Sequence, residues 1–312
     1  MSRVECVEVD CKSALNRVQG MPFKWSVNPY SGCSHSCHYC YARAYYARAE
    51  HGNADRDFET RIYVKRNMPR LLAAELARPA WRGESVALGT ATDCYQPIEG
   101  RYRLTRALLE VLLAYRNAAS LVTKAPLVLR DLDLWAALAR AAKVRIYFTI
   151  TTLDPVVWRE IEPGTPNPRR RLEAVRRLNA AGVPTGVLLA PILPGITDSE
   201  ASLEAVVAGA AEHGAAYLGA APLRLAPGVR EHYLRFVGAA RPALLPRYER
   251  AYSGTYAPPD YAARLTERVD RLRARYGFGV DAMRERSTRP APAPAAPPRA
   301  RRASPQLALP LG

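Results

Sequence analysis

The stretch YSGCSHSCHYCYARAYY, residues 30–46, sets three of the chain's six cysteines within one short window, beside two histidines and a run of tyrosines. In the preceding NPYSGC, Pro29 and Gly32 favour a loop that can wrap a bulky group, and the following YARAYYARAE reads as a helix. A short strand leading into the loop and a helix leading out of it make the first β/α unit of a longer series. Apolar β-type runs recur at SVALGTATD (85–93), SLVTK (120–124), VRIYFTITTLD (144–154), PTGVLLAPILPG (184–195) and AAYLGAAPLRL (215–225). Between them lie the helical stretches MPRLLAAELARP (68–79), LTRALLEVLLAYRN (104–117), LDLWAALARAA (132–142), NPRRRLEAVRRLNAAG (167–182) and DSEASLEAVVAGAAEHG (198–214). Asp198 is the expected N-cap of the last, Gly182 and Gly214 are expected helix stops, and Pro155 follows the turn-forming Asp154. Six such units predict an α/β fold, a partial (β/α)6 TIM-like barrel in preference to a doubly wound open sheet. Either architecture binds its ligand at the carboxyl ends of the strands.

At 312 residues, one large domain with an extension is expected. The barrel core is placed at 28–229, after an N-terminal extension (1–27) and before a mainly helical C-terminal extension (230–286). In that extension PPDYAARLTERVDRLRARYG (258–277) is amphipathic. STRPAPAPAAPPRARRASPQLALPLG (287–312) has almost nothing to bury and is predicted to be a disordered tail. The apolar runs stop well before they would span a bilayer, so no membrane segment is expected. The opening MSRVECVEVDCKSALNRV lacks the apolar stretch of a secretory signal, which predicts a cytoplasmic protein. A net charge of +16 attracts anionic partners, nucleic acid the commonest among them. An Arg- and Ala-rich compositional bias, partly concentrated in the tail, is the competing explanation of that charge.

Cys33, Cys37 and Cys40 form C-x3-C-x2-C, a spacing that brings three thiolates around one inorganic centre. Disulfides fit poorly, since an odd number of crowded cysteines in a reducing compartment cannot all pair. Structural zinc needs a fourth ligand, which His35 or His38 would supply. An iron-sulfur cluster on three thiolates leaves one iron open to a substrate or cofactor. Cys6 and Cys11, at C-x4-C, are too few to hold a metal and have no local histidine to complete them.

Taken in order, NPYSGCSHSCHYCYAR, TDCYQPIE, VTK, TITTLD and PILPGITD resemble the radical S-adenosylmethionine (SAM) superfamily, in the branch related to spore photoproduct lyase, over roughly residues 20–250. The resemblance implies that Cys33, Cys37 and Cys40 ligate a [4Fe-4S] cluster whose fourth iron is chelated by SAM. It further implies reductive cleavage of SAM to methionine and a 5′-deoxyadenosyl radical, and hence a flavodoxin- or ferredoxin-like reducing partner. Tyr39 would pack near the adenine, with ordinary packing as the competing reading. Gly89, Thr90, Thr92 and Asp93 stand where the family receives the methionine amino group. Thr123 and Lys124 end the third strand, where Lys124 would meet the cofactor carboxylate. Thr149 and Thr151 alternate so as to point one way, toward the interior or the ribose. Pro191 and Gly195 would shape the adenine site.

The lyase itself is expected to carry a hydrogen-donating cysteine where this chain has Thr90. Cys94, just after Asp93, is the candidate catalytic replacement, and an inert packed thiol is the alternative. In the tail, Gln306, Leu307, Leu309 and Leu311 resemble the peptide that docks bacterial repair proteins on the DNA sliding clamp. The leading expectation is therefore a radical SAM enzyme acting on nucleic acid, in DNA repair or modification. The alternatives are a radical SAM enzyme acting on a protein, peptide or small molecule, and a non-enzymatic metal-binding adaptor.

Overall fold

A computed structural model of the protein describes residues 4–279 except 20, 22 and 50, so the tail with its clamp-like peptide lies outside the described residues. The strands are β1 (Glu5–Val9), β2 (Asn16–Arg17), β3 (Trp25–Val27), β4 (Tyr30–Ser31), β5 (Arg61–Lys65), β6 (Val86–Leu88), β7 (Ala119–Thr123), β8 (Val144–Thr149), β9 (Thr185–Ile192) and β10 (Leu218–Pro222). The helices are α1 (Ala42–Arg48), α2 (Arg56–Thr60), α3 (Met68–Leu76), α4 (Glu99–Tyr102), α5 (Leu104–Ala114), α6 (Leu132–Ala141), α7 (Pro155–Ile161), α8 (Pro168–Ala180), α9 (Glu200–Glu212), α10 (Val229–Ala240), α11 (Leu245–Ala251) and α12 (Pro259–Arg275).

Six parallel strands lie in the order β10-β9-β8-β7-β6-β3, with β2 antiparallel at the outer edge of β3. This is the expected (β/α)6 sheet, and it begins at Trp25, ahead of position 28. Strands covered on both faces need apolar side chains in both directions, as the fully buried Val86–Leu88 shows. The helices present stripes at three- and four-residue spacing: Leu108 and Leu112 on α5, Trp135 and Leu138 on α6, Leu172, Val175 and Leu178 on α8, Leu203 and Val207 on α9. All of them join one core with the strand residues. Each such side chain contributes about 1.5–3 kcal/mol by leaving water.

A second, three-stranded sheet, β1-β5-β4, was not legible in the sequence. Residues 5–9, expected as part of an extension, run parallel to β5, and β4 runs antiparallel to it. Because β4 ends one residue before Gly32, this sheet anchors the entrance to the cysteine loop.

The C-terminal helices close the structure on two sides. Leu265, Val269 and Leu272 of α12 enter the main core beside β10 and α9. Val229, Tyr233 and Val237 of α10 pack in a separate cluster with Cys37, Tyr39 and Leu193. Among the described residues, no helix is long and apolar enough to cross a membrane.

One cap differs from expectation. Asp198 accepts hydrogen bonds from the Gly195 amide (2.7 Å) and the Tyr261 hydroxyl (3.0 Å), so Ser199 caps α9 instead, accepting from the Ser202 amide.

Candidate active site at the carboxyl ends of the strands

The cysteine loop is clamped on three sides. Gly32 has φ +89°, and a Cβ there would come within 2.8 Å of the Arg61 carbonyl, so only glycine fits. Its carbonyl accepts from Thr92 Oγ1 (2.7 Å) and Gln96 Nε2 (3.0 Å), while Gln96 Oε1 accepts from the Ser34 amide (3.0 Å). The far side is held by backbone: His38 N donates to Ile161 O (3.2 Å), and Gly164 N donates to His35 O (3.1 Å). Behind the loop, the buried Arg43 guanidinium donates to Cys37 O (3.1 Å), to the carbonyls of Ala54 and Asp55, and to Glu59.

Cys33 and Cys37 are buried and Cys40 is partly buried, all as free thiols. Burial pushes the Cys37 thiol up to about 12, against the pull of the Lys124 charge, and burial with the Asp93 charge drives Cys33 well above its ordinary value. Thiols in this state give up their protons when they bind a metal. His35 and His38, the candidate fourth ligands for zinc, each have Nδ1 engaged. His35 Nδ1 pairs with Asp93 at 3.3 Å; His38 Nδ1 meets His232 Nε2 at 3.2 Å, its ring stacked on Phe236 at 4.1 Å. Among the described residues, no three His, Cys, Asp or Glu side chains are grouped to hold a single metal ion.

The residues after β6 serve mainly to shape the site. Gly89 (φ +77°) turns the chain where a Cβ would approach the Val122 carbonyl to 2.9 Å, ending the strand earlier than the sequence suggested. Thr90 Oγ1 accepts from Asn28 Nδ2 (3.2 Å), and Asn28 Oδ1 accepts from the Ala91 amide (2.8 Å). Asp93 is saturated: it accepts from Tyr95 N (2.9 Å), Thr123 Oγ1 (2.8 Å) and Lys124 N (2.8 Å) besides pairing with His35. Burial works against its charge, but His35 and these donors bring its carboxyl down to about 2. Asp93 and Thr123 thus join the ends of β6 and β7 to the cysteine loop.

Lys124 reaches in from the end of β7, with Nζ 5.4 Å from the centroid of Tyr39. Burial disfavours its charge, yet the charges of Cys37, Glu162 and Cys40 outweigh that effect and raise its pKa. Beneath Tyr39 lies a buried network that the sequence did not reveal. The Tyr39 hydroxyl donates to Glu162 Oε1 and meets Thr151 Oγ1 at 3.1 Å; Glu162 pairs with Arg171 (2.6 Å), which also donates to the Thr149 carbonyl (2.9 Å). Against the cost of burial, Arg171 and then Lys124 hold the Glu162 carboxyl at about 2.

Three predicted residues are placed differently from the rest. Cys94 is fully buried in the main apolar core, its thiol driven well above the ordinary value by burial and the neighbouring Asp93 charge, as a packed side chain would be. Pro191 lies within β9 and follows a cis peptide bond. Gly195 lies beyond β9, where a Cβ would meet Leu244 at 3.2 Å.

A cysteine loop at the carboxyl end of a six-stranded parallel barrel defines a class of cluster enzyme, and comparison with known proteins agrees. The sequence model of the Radical SAM superfamily matches residues 27–205, more than half of the chain, and the chain belongs to that superfamily. It is 40% identical over 278 residues to an uncharacterised protein of Mycobacterium tuberculosis (strain H37Rv), covering 88% of this chain and 82% of that one. An uncharacterised protein of Methanocaldococcus jannaschii is 28% identical over 64% of this chain and 72% of its own length. Among solved structures, a spore photoproduct lyase mutant with bound AdoMet and dinucleoside spore photoproduct shares the fold. Its TM-score is 0.68 at 18% identity, over 86% of this chain and 78% of that chain.

The protein is therefore a radical SAM enzyme, of a superfamily that uses a [4Fe-4S] cluster, SAM and a reductant. The donor set fits the cluster. Three free thiols share one clamped loop, an ammonium stands near them, and His35 Nε2 is buried on the same loop with no hydrogen-bond partner.

Proposed function

We propose that this enzyme holds its cluster on Cys33, Cys37 and Cys40 and directs its radical chemistry at nucleic acid, in repair or modification of DNA. When bound, the cluster and SAM together supply a 5′-deoxyadenosyl radical able to take hydrogen from an unreactive carbon. The chain's own residues bind and orient. Lys124 meets the SAM carboxylate, since its ammonium is held charged in a partly buried site. Thr90, partly exposed past the end of β6, and the backbone at Gly89 receive the methionine end. Thr92, Asp93 and Thr123 keep that surface in register with the cysteine loop through the bonds described above. Tyr39, locked by Thr151 and Glu162, presents a fixed ring beside the cofactor, and the Thr149 carbonyl holds Arg171 behind it. Gly195 and Cys94 act through packing.

The observation that carries the reading is Lys124 poised over Tyr39 within electrostatic reach of Cys37 and Cys40. The net charge of +16 and the fold shared with spore photoproduct lyase support nucleic acid as the target. The test is anaerobic turnover of the reconstituted protein with reductant, SAM and ultraviolet-damaged or intact DNA, followed by the yield of 5′-deoxyadenosine. DNA-dependent stimulation together with an altered nucleotide in the digest is expected. Cofactor cleavage that no DNA alters would redirect the search to peptides and small molecules.

A further inference from the structure

Five side chains at the same end of the barrel remain unused by the chemistry above. Tyr41 turns its hydroxyl inward to the Thr90 carbonyl and leaves its ring 44% exposed. Tyr45, one helical turn further along α1, meets that ring edge-on at 6.1 Å and is 50% exposed, and the Arg48 guanidinium lies 5.9 Å from its centroid. Arg224, just past β10 and next to Leu225, which packs in one cluster with Ala44 of α1, lies 4.9 Å from the ring of Tyr256, which is 68% exposed. A β-bridge between Arg224 and Tyr256 fixes that pair. Since Tyr41 is tied to the end of β6 and Arg224 follows β10 at the far edge of the sheet, the stripe runs across the barrel mouth.

A single exposed tyrosine is ordinary. Three tyrosine rings interleaved with two guanidiniums, with no carboxylate among the five, make a surface of one particular chemistry. Aromatic faces and guanidinium planes stack on nucleobases of any sequence, and arginines pair with the phosphates between them. A duplex keeps its base faces inside, so only an unpaired or extruded nucleotide can use these rings. The excess positive charge of the chain complements the same polyanion.

We infer that Tyr41, Tyr45, Arg48, Arg224 and Tyr256 form a stacking platform for unpaired nucleobases, which delivers a single-stranded or flipped-out nucleotide to the barrel mouth. The inference rests on the nucleic-acid reading and gives its substrate a form. Cluster-loaded full-length protein is titrated into a short dye-labelled single strand and into the matching duplex, and binding is read by anisotropy. The single strand binds about tenfold more tightly or better. Tyr45→Ala and Tyr256→Ala each weaken single-strand binding about 5- to 100-fold, whereas Tyr45→Phe and Tyr256→Phe remain within about twofold of the parent. Both rings are exposed, so truncation leaves the core intact. Alanine variants that bind the single strand as the parent does overturn the platform and leave the nucleic-acid reading standing. A preference for duplex also overturns the platform. A parent protein that binds neither form at low salt overturns both readings.

Discussion

Lys124 carries the electrostatics of the site. Its ammonium is the cation that the charges of Cys37, Glu162 and Cys40 share, and burial makes each of those interactions stronger than it would be in water. Lys124→Met, which keeps length and removes charge, is expected to weaken SAM binding about 10- to 100-fold, the value of one charge-assisted hydrogen bond. Iron content should stay at the parent level. Equilibrium binding to the reconstituted protein checks this, and an unchanged dissociation constant would remove Lys124 from the cofactor site. Lys124 was legible because VTK ends a strand in register with the other landmarks. Gln96, Glu162 and Arg171 were not assigned roles, although Gln96 lies inside TDCYQPIE. A polar residue gains its role from its partners, and the partners of Gln96 on the cysteine loop lie 62 and 64 positions away. Glu162 likewise reaches Tyr39 across 123 positions, and Arg171 acts there only through Glu162.

At the scale of elements, the connection between α7 and α8 is what presses the cysteine loop into place. Gly164 lies so near Ser34 and His35 that a Cβ would overlap the Ser34 carbonyl oxygen. Gly164→Ala must therefore displace one loop or the other. The expected cost is about 1–3 kcal/mol. The loss would appear as a lower urea midpoint for the cluster-free chain and as poorer iron retention after reconstitution. A variant equal to the parent in both would show that the two loops are not rigidly coupled. Strand and helix positions were legible from apolar periodicity, whereas ends were not. The run 85–93 stops as a strand at Leu88 because the backbone must turn at Gly89 to avoid the Val122 carbonyl. The small sheet left no comparable signal, since the parallel pairing of residues 5–9 with 61–65 depends on a long crossover connection that no local pattern records.

For the molecule as a whole, buried carboxylates tie stability to pH. Asp93 and Glu162 ordinarily titrate at 3.8 and 4.5, and in the folded state both lie at about 2. A depressed folded value stabilises above the ordinary value, and that stabilisation is lost as pH falls through the window from about 5 to about 2. The contributions are about 2 and about 3 kcal/mol respectively. Urea unfolding of the cluster-free chain should show a falling midpoint between pH 5 and 3. A flat profile there would mean that the two carboxylates titrate alike in both states. The order of β/α units and the loop bearing Cys33, Cys37 and Cys40 could be read along the chain, because periodicity and ligand spacing are local properties. The convergence of Asp93 on His35, of Glu162 on Tyr39, and of Tyr41 on the Thr90 carbonyl could not. Those encounters arise only when strands far apart in sequence close side by side, and burial then gives their charges and rings the environment that makes them a site.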